Sequence, residues 1–285
     1  MTHNSAPSPV NFSANSAAHL AADALANWLA SPPGQYVLAW EAAQYDELTA
    51  DMFGYHAVQL GWPQADALRS NRMPHRWVVG AQPMINDNKS AVLSCDIDKP
   101  AHQKIALFAD FSELPFDSAS LDLVVLPHTL EFTADPHACL REVERVLVPE
   151  GKIVICGFNS SSLWGARQFL GAKLLRSRTP FMPQAGQFIR YSRCKDWLRL
   201  LGFELERGRF GCYRPPCRSQ QWLDRFAVME ATGDRWWWML GATYNIVAVK
   251  RVKNMRMSNA AWKKQAVASG KFAPAVNSSS EQFKQ

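Results

Sequence analysis

The chain has no apolar run approaching the roughly 20 residues of a membrane-spanning helix. Its first twenty residues, MTHNSAPSPVNFSANSAAHL, have neither a charged start nor an apolar central region, so no secretory signal is expected. The six cysteines (Cys95, Cys139, Cys156, Cys194, Cys212 and Cys217) form no CxxC pair, and no histidine pair has zinc-finger spacing. No metal is expected, and a reducing, cytoplasmic location fits. Cys139 in a helical pattern and Cys156 in an apolar run are expected to be core filler. There is no Walker loop and no GxSxG elbow.

What is present bounds the rest. With 285 residues, 47% of them hydrophobic, the chain can bury one large core and carry extensions. The net charge of +6 is unevenly spread: Lys250, Arg251, Lys253, Arg256, Lys263 and Lys264 follow one another with no acid among them. Residues 253–285 therefore read as a basic flexible tail. Such a tail is a solvated extension or a weak attractor for an anionic membrane or nucleic acid.

Residues 1–17, rich in Ser, Asn, Ala and Pro, are expected to be disordered. Two helical patterns follow, at 18–30 and 35–53, separated by SPPG and closed by Gly54. From 55 to 252 short apolar runs alternate with helical periodicity. Strands are expected at 56–62, 75–82, 104–111, 121–128 and 152–158, with a short one at AVLSC in the polar stretch 83–103. The run LDLVVLPH is nearly continuous, as in a strand buried on both faces. DPHACLREVERVL (135–147) is the clearest helix, with Asp135 as N-cap, Pro136 at the first position and VPEG as the stop. Further helices are expected at 161–176 and 192–203, then strands at FELERGRF and 244–252. The fold class is α/β: a Rossmann-like, mostly parallel sheet with helices on both faces, an antiparallel last strand, and N-terminal helices.

The stretch ADFSELPFDSASLDLVVLPHTLEFTADPHACLREVERVLVPEGKIVICGFN (109–159) resembles class I S-adenosylmethionine-dependent methyltransferases of the type 11 domain group. The resemblance lies in the order of its parts: an acid, an LPF turn, a buried strand, a DPxxxLxExxRVLxPxG helix and another strand. It covers roughly residues 50–252. LPHTLEF and GFNSSSLWGARQ look closer to a proteobacterial subgroup with an atypical first motif. It implies S-adenosylmethionine as cofactor and a methyl acceptor that the sequence does not identify.

Ligand is expected at the carboxyl ends of the parallel strands. The resemblance implies cofactor contacts from Gly61, Trp62, Gln82, Asp110, Phe111, Leu126 and Pro127. A carboxylate at Asp110 can accept from the adenine amino group, and an aromatic ring at Phe111 can lie against the base. The alternatives are a turn aspartate and a core phenylalanine. His128 is the candidate catalytic group, with Glu131 to orient it. The alternative is a packed histidine bonded to backbone.

Two places depart from the family. The loop VQLGWPQADAL keeps one glycine, Gly61, with Gln59 where an acid often stands and stiff Trp62 and Pro63 beside it. The second strand ends at neutral Gln82, with Asp87, Asp96 and Asp98 as fallback acids for the ribose. GDRWWWML (233–240), inside the 211–243 insertion, is expected to be a lid packed on the sheet. An aromatic patch for an apolar substrate, partner or membrane surface is the alternative. Functionally, a methyltransferase is expected, with an inactive scaffold or sensor of the same fold as the alternative.

Overall fold

The computed structural model describes residues 24–81, 105–173, 181–183 and 186–251. Expectations for Gln82, Asp87, Asp96, Asp98, the AVLSC strand and both chain ends fall outside these residues. A short helix α1 (residues 24–29) leads into α2 (Pro32–Thr49). Seven strands follow: β1 (His56–Leu60), β2 (His75–Ala81), β3 (Ile105–Ala109), β4 (Leu121–Pro127), β5 (Leu147–Phe158), β6 (Phe203–Gly211) and β7 (Thr243–Lys250). Helices α3 (Thr129–Phe132) and α4 (Pro136–Val146) connect β4 to β5. Helices α5 (Leu163–Lys173) and α6 (Tyr191–Leu200) lie between β5 and β6. Helices α7 (Gln220–Arg225) and α8 (Val228–Trp236) precede β7.

The strands form one sheet in the order β3-β2-β1-β4-β5-β7-β6. The pairings from β3 through β5 are parallel, and β7 runs antiparallel to both of its neighbours. This is the mixed sheet expected from sequence. The reversal at β7 pairs Thr243 with Phe158 and with Gly211. The 212–242 insertion therefore sits at the same end of the sheet as the loops that leave the parallel strands.

Alternating side chains divide between two faces, as strand geometry requires. Val58, Leu60, Val124, Leu126, Ile153, Ile155 and Ile246 join Leu140 and Val143 of α4 and Leu198 of α6 in the largest core. Ala57, Leu123, Val125, Val154, Cys156 and Val247 turn the other way, toward Tyr45 and Leu48 of α2. Each fully buried Leu, Ile or Val contributes about 1.5–3 kcal/mol of transfer free energy. A one-residue slip would expose all of them together, so burial fixes the register. Helix α4 begins where its chemistry dictates: Asp135 accepts from His137 N at 2.9 Å and from Ala138 N at 3.0 Å.

Three expectations need correction. VPEG does not separate α4 from β5, because Leu147 already pairs with Leu121. The register then shifts between Leu121 and Leu123, and Glu150 takes φ 65, so the segment is absorbed as an irregularity within β5. Helix α2 ends at Thr49 rather than near Gly54. Asn71 Nδ2 reaches the carbonyls of Thr49 and Met52 at 2.8 and 3.2 Å and satisfies groups that further helix would otherwise use. Gly54 instead makes room for Asp122, whose carboxylate accepts from Tyr55 N and His56 N at 2.8 and 2.9 Å. Finally, Trp236 and Trp237 are 71% and 51% exposed, so their rings are not packed onto the sheet.

Candidate functional site

Three loops converge at the carboxyl ends of β1, β3 and β4. Gly61 follows β1 with φ 77, and its N–H donates to Val79 O at 2.8 Å. A Cβ at this glycine would lie 3.1 Å from Thr129 Oγ1 and 3.8 Å from Phe111 Cε2. Thr129 in turn donates to Leu60 O at 2.5 Å. One point in space is thus bounded by the end of β1, the residue pair after β3 and the first turn of α3. Sequence reasoning placed Gly61 and Phe111 here and missed Thr129.

The loop after β1 holds its shape without further glycines. Gln59 is fully buried; its Nε2 donates to Trp62 O and its Oε1 accepts from Ala67 N at 2.9 Å. An amide is needed because the side chain must donate and accept at once. The loop forms a short 3₁₀ turn at Pro63–Ala65, and Trp62 packs between the second and third apolar clusters. Trp62 Nε1 is buried with no hydrogen-bond partner among the described residues. A buried donor of this kind carries a desolvation cost until something accepts from it.

Asp110 is exposed, and its Oδ1 accepts from Ser112 N at 2.8 Å, which makes a local turn. Phe111 is 8% exposed and belongs to the main core. Both match the plainer expectation of a turn acid and a core ring. Leu126 and Pro127 are buried at the end of β4. Leu126 lies in the main core, so its side chain faces other apolar groups and not a loop.

Of the two expectations for His128, a catalytic group or a packed histidine, the structure shows a packed one, with carboxylates rather than backbone on its ring nitrogens. It is 2% exposed, adopts φ 53 and lies between two carboxylates. Nε2 is 2.8 Å from Glu41 Oε1 and Nδ1 is 2.8 Å from Glu131 Oε2. Glu131 Oε1 also accepts from Phe158 N at 2.6 Å, and Cys156 Sγ lies 3.2 Å from Glu41 Oε1. Both ring nitrogens are thus occupied and the ring is buried, so its hydrogen-bonding capacity is used within the fold. The cluster instead joins α2, the β4–α3 junction and the end of β5. Glu41 was missed, yet a signal exists: it falls four residues after Val37 and four before Tyr45, an acid on the buried stripe of α2.

Burial is the largest single influence and pushes the His128 pKa down, but Glu41, Cys156 and Glu131 together outweigh it and hold the imidazole well above its usual value. Burial raises Glu131 as well, against the pull of His128. Burial also raises the thiols of Cys139 and Cys156 to about 12. A group whose pKa is higher in the folded state stabilises fully below its unfolded value and loses that contribution as pH rises through the folded one. His128 should therefore contribute most below about pH 6.5 and less as the solution becomes alkaline. Melting curves of the protein and of a His128→Gln variant are expected to converge between pH 6 and pH 9; a gap that widens with pH would contradict this.

Glu41, His128 and Cys156 are also the one group among the described residues whose ligand atoms, all within 4.8 Å of one another, could surround a metal ion. Their 2.8 and 3.2 Å separations are hydrogen-bond lengths. Two clefts are formed among the described residues. One of about 320 Å³ lies between Trp40, Phe210 and Tyr213, and one of about 580 Å³ between His137, Phe188, Arg193 and Trp197. Neither is lined by Gly61, Asp110 or Phe111.

Residues 81–155 match the family model described as Methyltransferase domain. The chain is 37% identical over 126 residues to Uncharacterized protein YafS of Escherichia coli (strain K12), covering 41% of this chain and 50% of that protein. It is 28% identical over 155 residues to demethylmenaquinone methyltransferase of Streptomyces griseus, covering 49% and 66%. The chain thus spans half to about two thirds of these relatives' lengths. Among solved structures, a chain from the complex of the Haloferax volcanii Trm112 methyltransferase activator with a methyltransferase superposes with TM-score 0.51 at 19% identity, covering 81% and 98%. An S-adenosylmethionine-dependent methyltransferase of Thermotoga maritima gives 0.51 at 14% identity, covering 76% and 90%. At these identities the superpositions establish the fold.

Proposed function

We propose, from its likeness to class I S-adenosylmethionine-dependent methyltransferases, that this protein binds S-adenosylmethionine at the carboxyl ends of β1, β3 and β4 and methylates an acceptor. The observation that carries the reading is the convergence of Gly61, Phe111 and Thr129 on one point, at the strand ends where an open α/β sheet takes its ligands. The residues present fit the cofactor. Gly61 adds no side chain of its own at a point where Thr129 and Phe111 already stand close. Phe111 offers an aromatic ring, and Trp62 Nε1 is a buried donor in need of an acceptor.

The cofactor, when bound, supplies an electrophilic methyl group on a sulfonium, and its transfer is a direct displacement. The protein's share is alignment of the reactants and exclusion of water. Asp110 keeps an oxygen free of the Ser112 turn to accept from the adenine amino group. Gln82, Leu126 and Pro127 complete the proposed contacts, the last two through backbone. His128 holds the framework and takes no proton from substrate, so the proposed chemistry needs an acceptor that is nucleophilic without a strong base.

Asp110→Ala is expected to weaken S-adenosylhomocysteine binding about tenfold, the scale of one lost charge-assisted hydrogen bond at an exposed residue. Melting should be little changed, since Asp110 caps only one N–H. Equilibrium dialysis of the two proteins tests this. Equal affinities would remove Asp110 from the site.

A further inference from the structure

The exposed apolar surface is concentrated at one end of the molecule. Of the thirteen most exposed large apolar side chains among the described residues, nine come from 163–170 and 222–240. They include Phe169 (60%), Leu170 (54%), Trp222 (51%), Trp236 (71%), Trp237 (51%) and Met239 (55%). Soluble surfaces rarely gather so many without a use.

These segments are held together, and their outward faces are fixed. Trp164 Nε1 donates to Arg214 O at 2.7 Å, and Arg167 Nη1 donates to Pro216 O. Asn159 Nδ2 donates to Met239 O at 2.8 Å and to Gly241 O at 2.9 Å. On α8, Glu230 accepts from Cys212 N and from the Tyr36 hydroxyl. Three residues later Gly233 sits against Tyr213, where a Cβ would come within 2.3 Å of the ring. With Glu230 and Gly233 inward, Val228 and Trp236 face solvent. Because β5 ends and β7 begins here, the rim lies at the same end of the sheet as Gly61 and Phe111.

The charge around the rim is predominantly positive. Among the described residues of 160–190 and 211–243, six arginines (Arg167, Arg190, Arg214, Arg218, Arg225 and Arg235) stand against three acids (Asp224, Glu230 and Asp234). Tryptophan and aliphatic tips flanked by arginine match the interface of a bilayer with anionic headgroups. A nucleic-acid surface would also use arginine and aromatic rings, but it has no use for solvent-facing Leu170, Val228 and Met239.

We propose that this rim docks on an anionic phospholipid bilayer, and that the acceptor is an apolar molecule dissolved in it. The second half rests on the methyl-transfer reading, whereas the docking does not.

The test uses the full-length protein and sucrose-loaded vesicles of phosphatidylcholine alone or with 30% phosphatidylglycerol. Sedimentation should show at least tenfold tighter association with the anionic vesicles, with a blue shift of tryptophan emission. The triple variant Trp222→Ser, Trp236→Ser, Trp237→Ser should lose at least tenfold of that association with unchanged circular dichroism. Phe169→Ser with Leu170→Ser, on the other segment, should weaken it too. No vesicle binding would overturn the proposal. So would full binding by both variants, which would assign the attraction to the basic tail, or displacement of vesicles by a single-stranded oligonucleotide at equal phosphate. Cofactor affinity measured on the same samples is independent of every one of these outcomes.

Discussion

Replacing Glu41 with alanine is expected to destabilise the protein by about 3–5 kcal/mol, the usual cost of removing one partner from a buried charged pair. The substitution leaves His128 2% exposed with one ring nitrogen facing an empty space, and takes the neighbour from Cys156 as well. It also cuts the buried polar link between α2 and the ends of β4 and β5, leaving the exposed pairs of Glu47 with Arg207 and Arg209, so α2 should loosen before the strands do. Glu41→Gln keeps an acceptor and loses only the charge, and should cost less. Urea unfolding of the three proteins gives the comparison. A loss below about 1 kcal/mol for Glu41→Ala would mean that the cluster is incidental to stability.

The second large effect is expected at Gly61. Valine there must adopt φ 77, a region that costs an L residue about 1–2 kcal/mol and a β-branched one more. Its Cβ would sit 3.1 Å from Thr129 Oγ1, and that hydroxyl is tied to Leu60 O, so the loop must give way. The movement falls where the ligand is proposed to lie. Gly61→Val should therefore lose at least about tenfold in S-adenosylhomocysteine affinity, with a milder loss for Gly61→Ala. Dialysis alongside melting separates binding from folding. A folded valine variant with unchanged affinity would place the ligand elsewhere.

The sheet was legible because its cues are local. LDLVVLPH reads as a strand buried on two faces, and β4 is one. The Asp135-Pro136 start of α4 is visible in four letters and holds in the hydrogen bonds. The loop after β1 was less legible because its order comes from Gln59, a side chain that takes the place of repeated glycine and that one sequence cannot reveal. The setting of His128 was hidden for a different reason. The residue that seals it, Glu41, is 87 positions away, and only folding brings α2 over the end of β4. VPEG looked like a stop because proline and glycine punctuate chains, yet a ladder already begun at Leu147 carried the strand through.

The central claim is that the strand ends hold S-adenosylmethionine, and titration calorimetry of the folded, full-length protein tests it most directly. The account predicts micromolar binding of S-adenosylmethionine and S-adenosylhomocysteine at one site per chain. Heat changes absent up to millimolar concentrations of either, with cooperative unfolding confirming an intact fold, would contradict it and leave a methyltransferase fold serving as a scaffold.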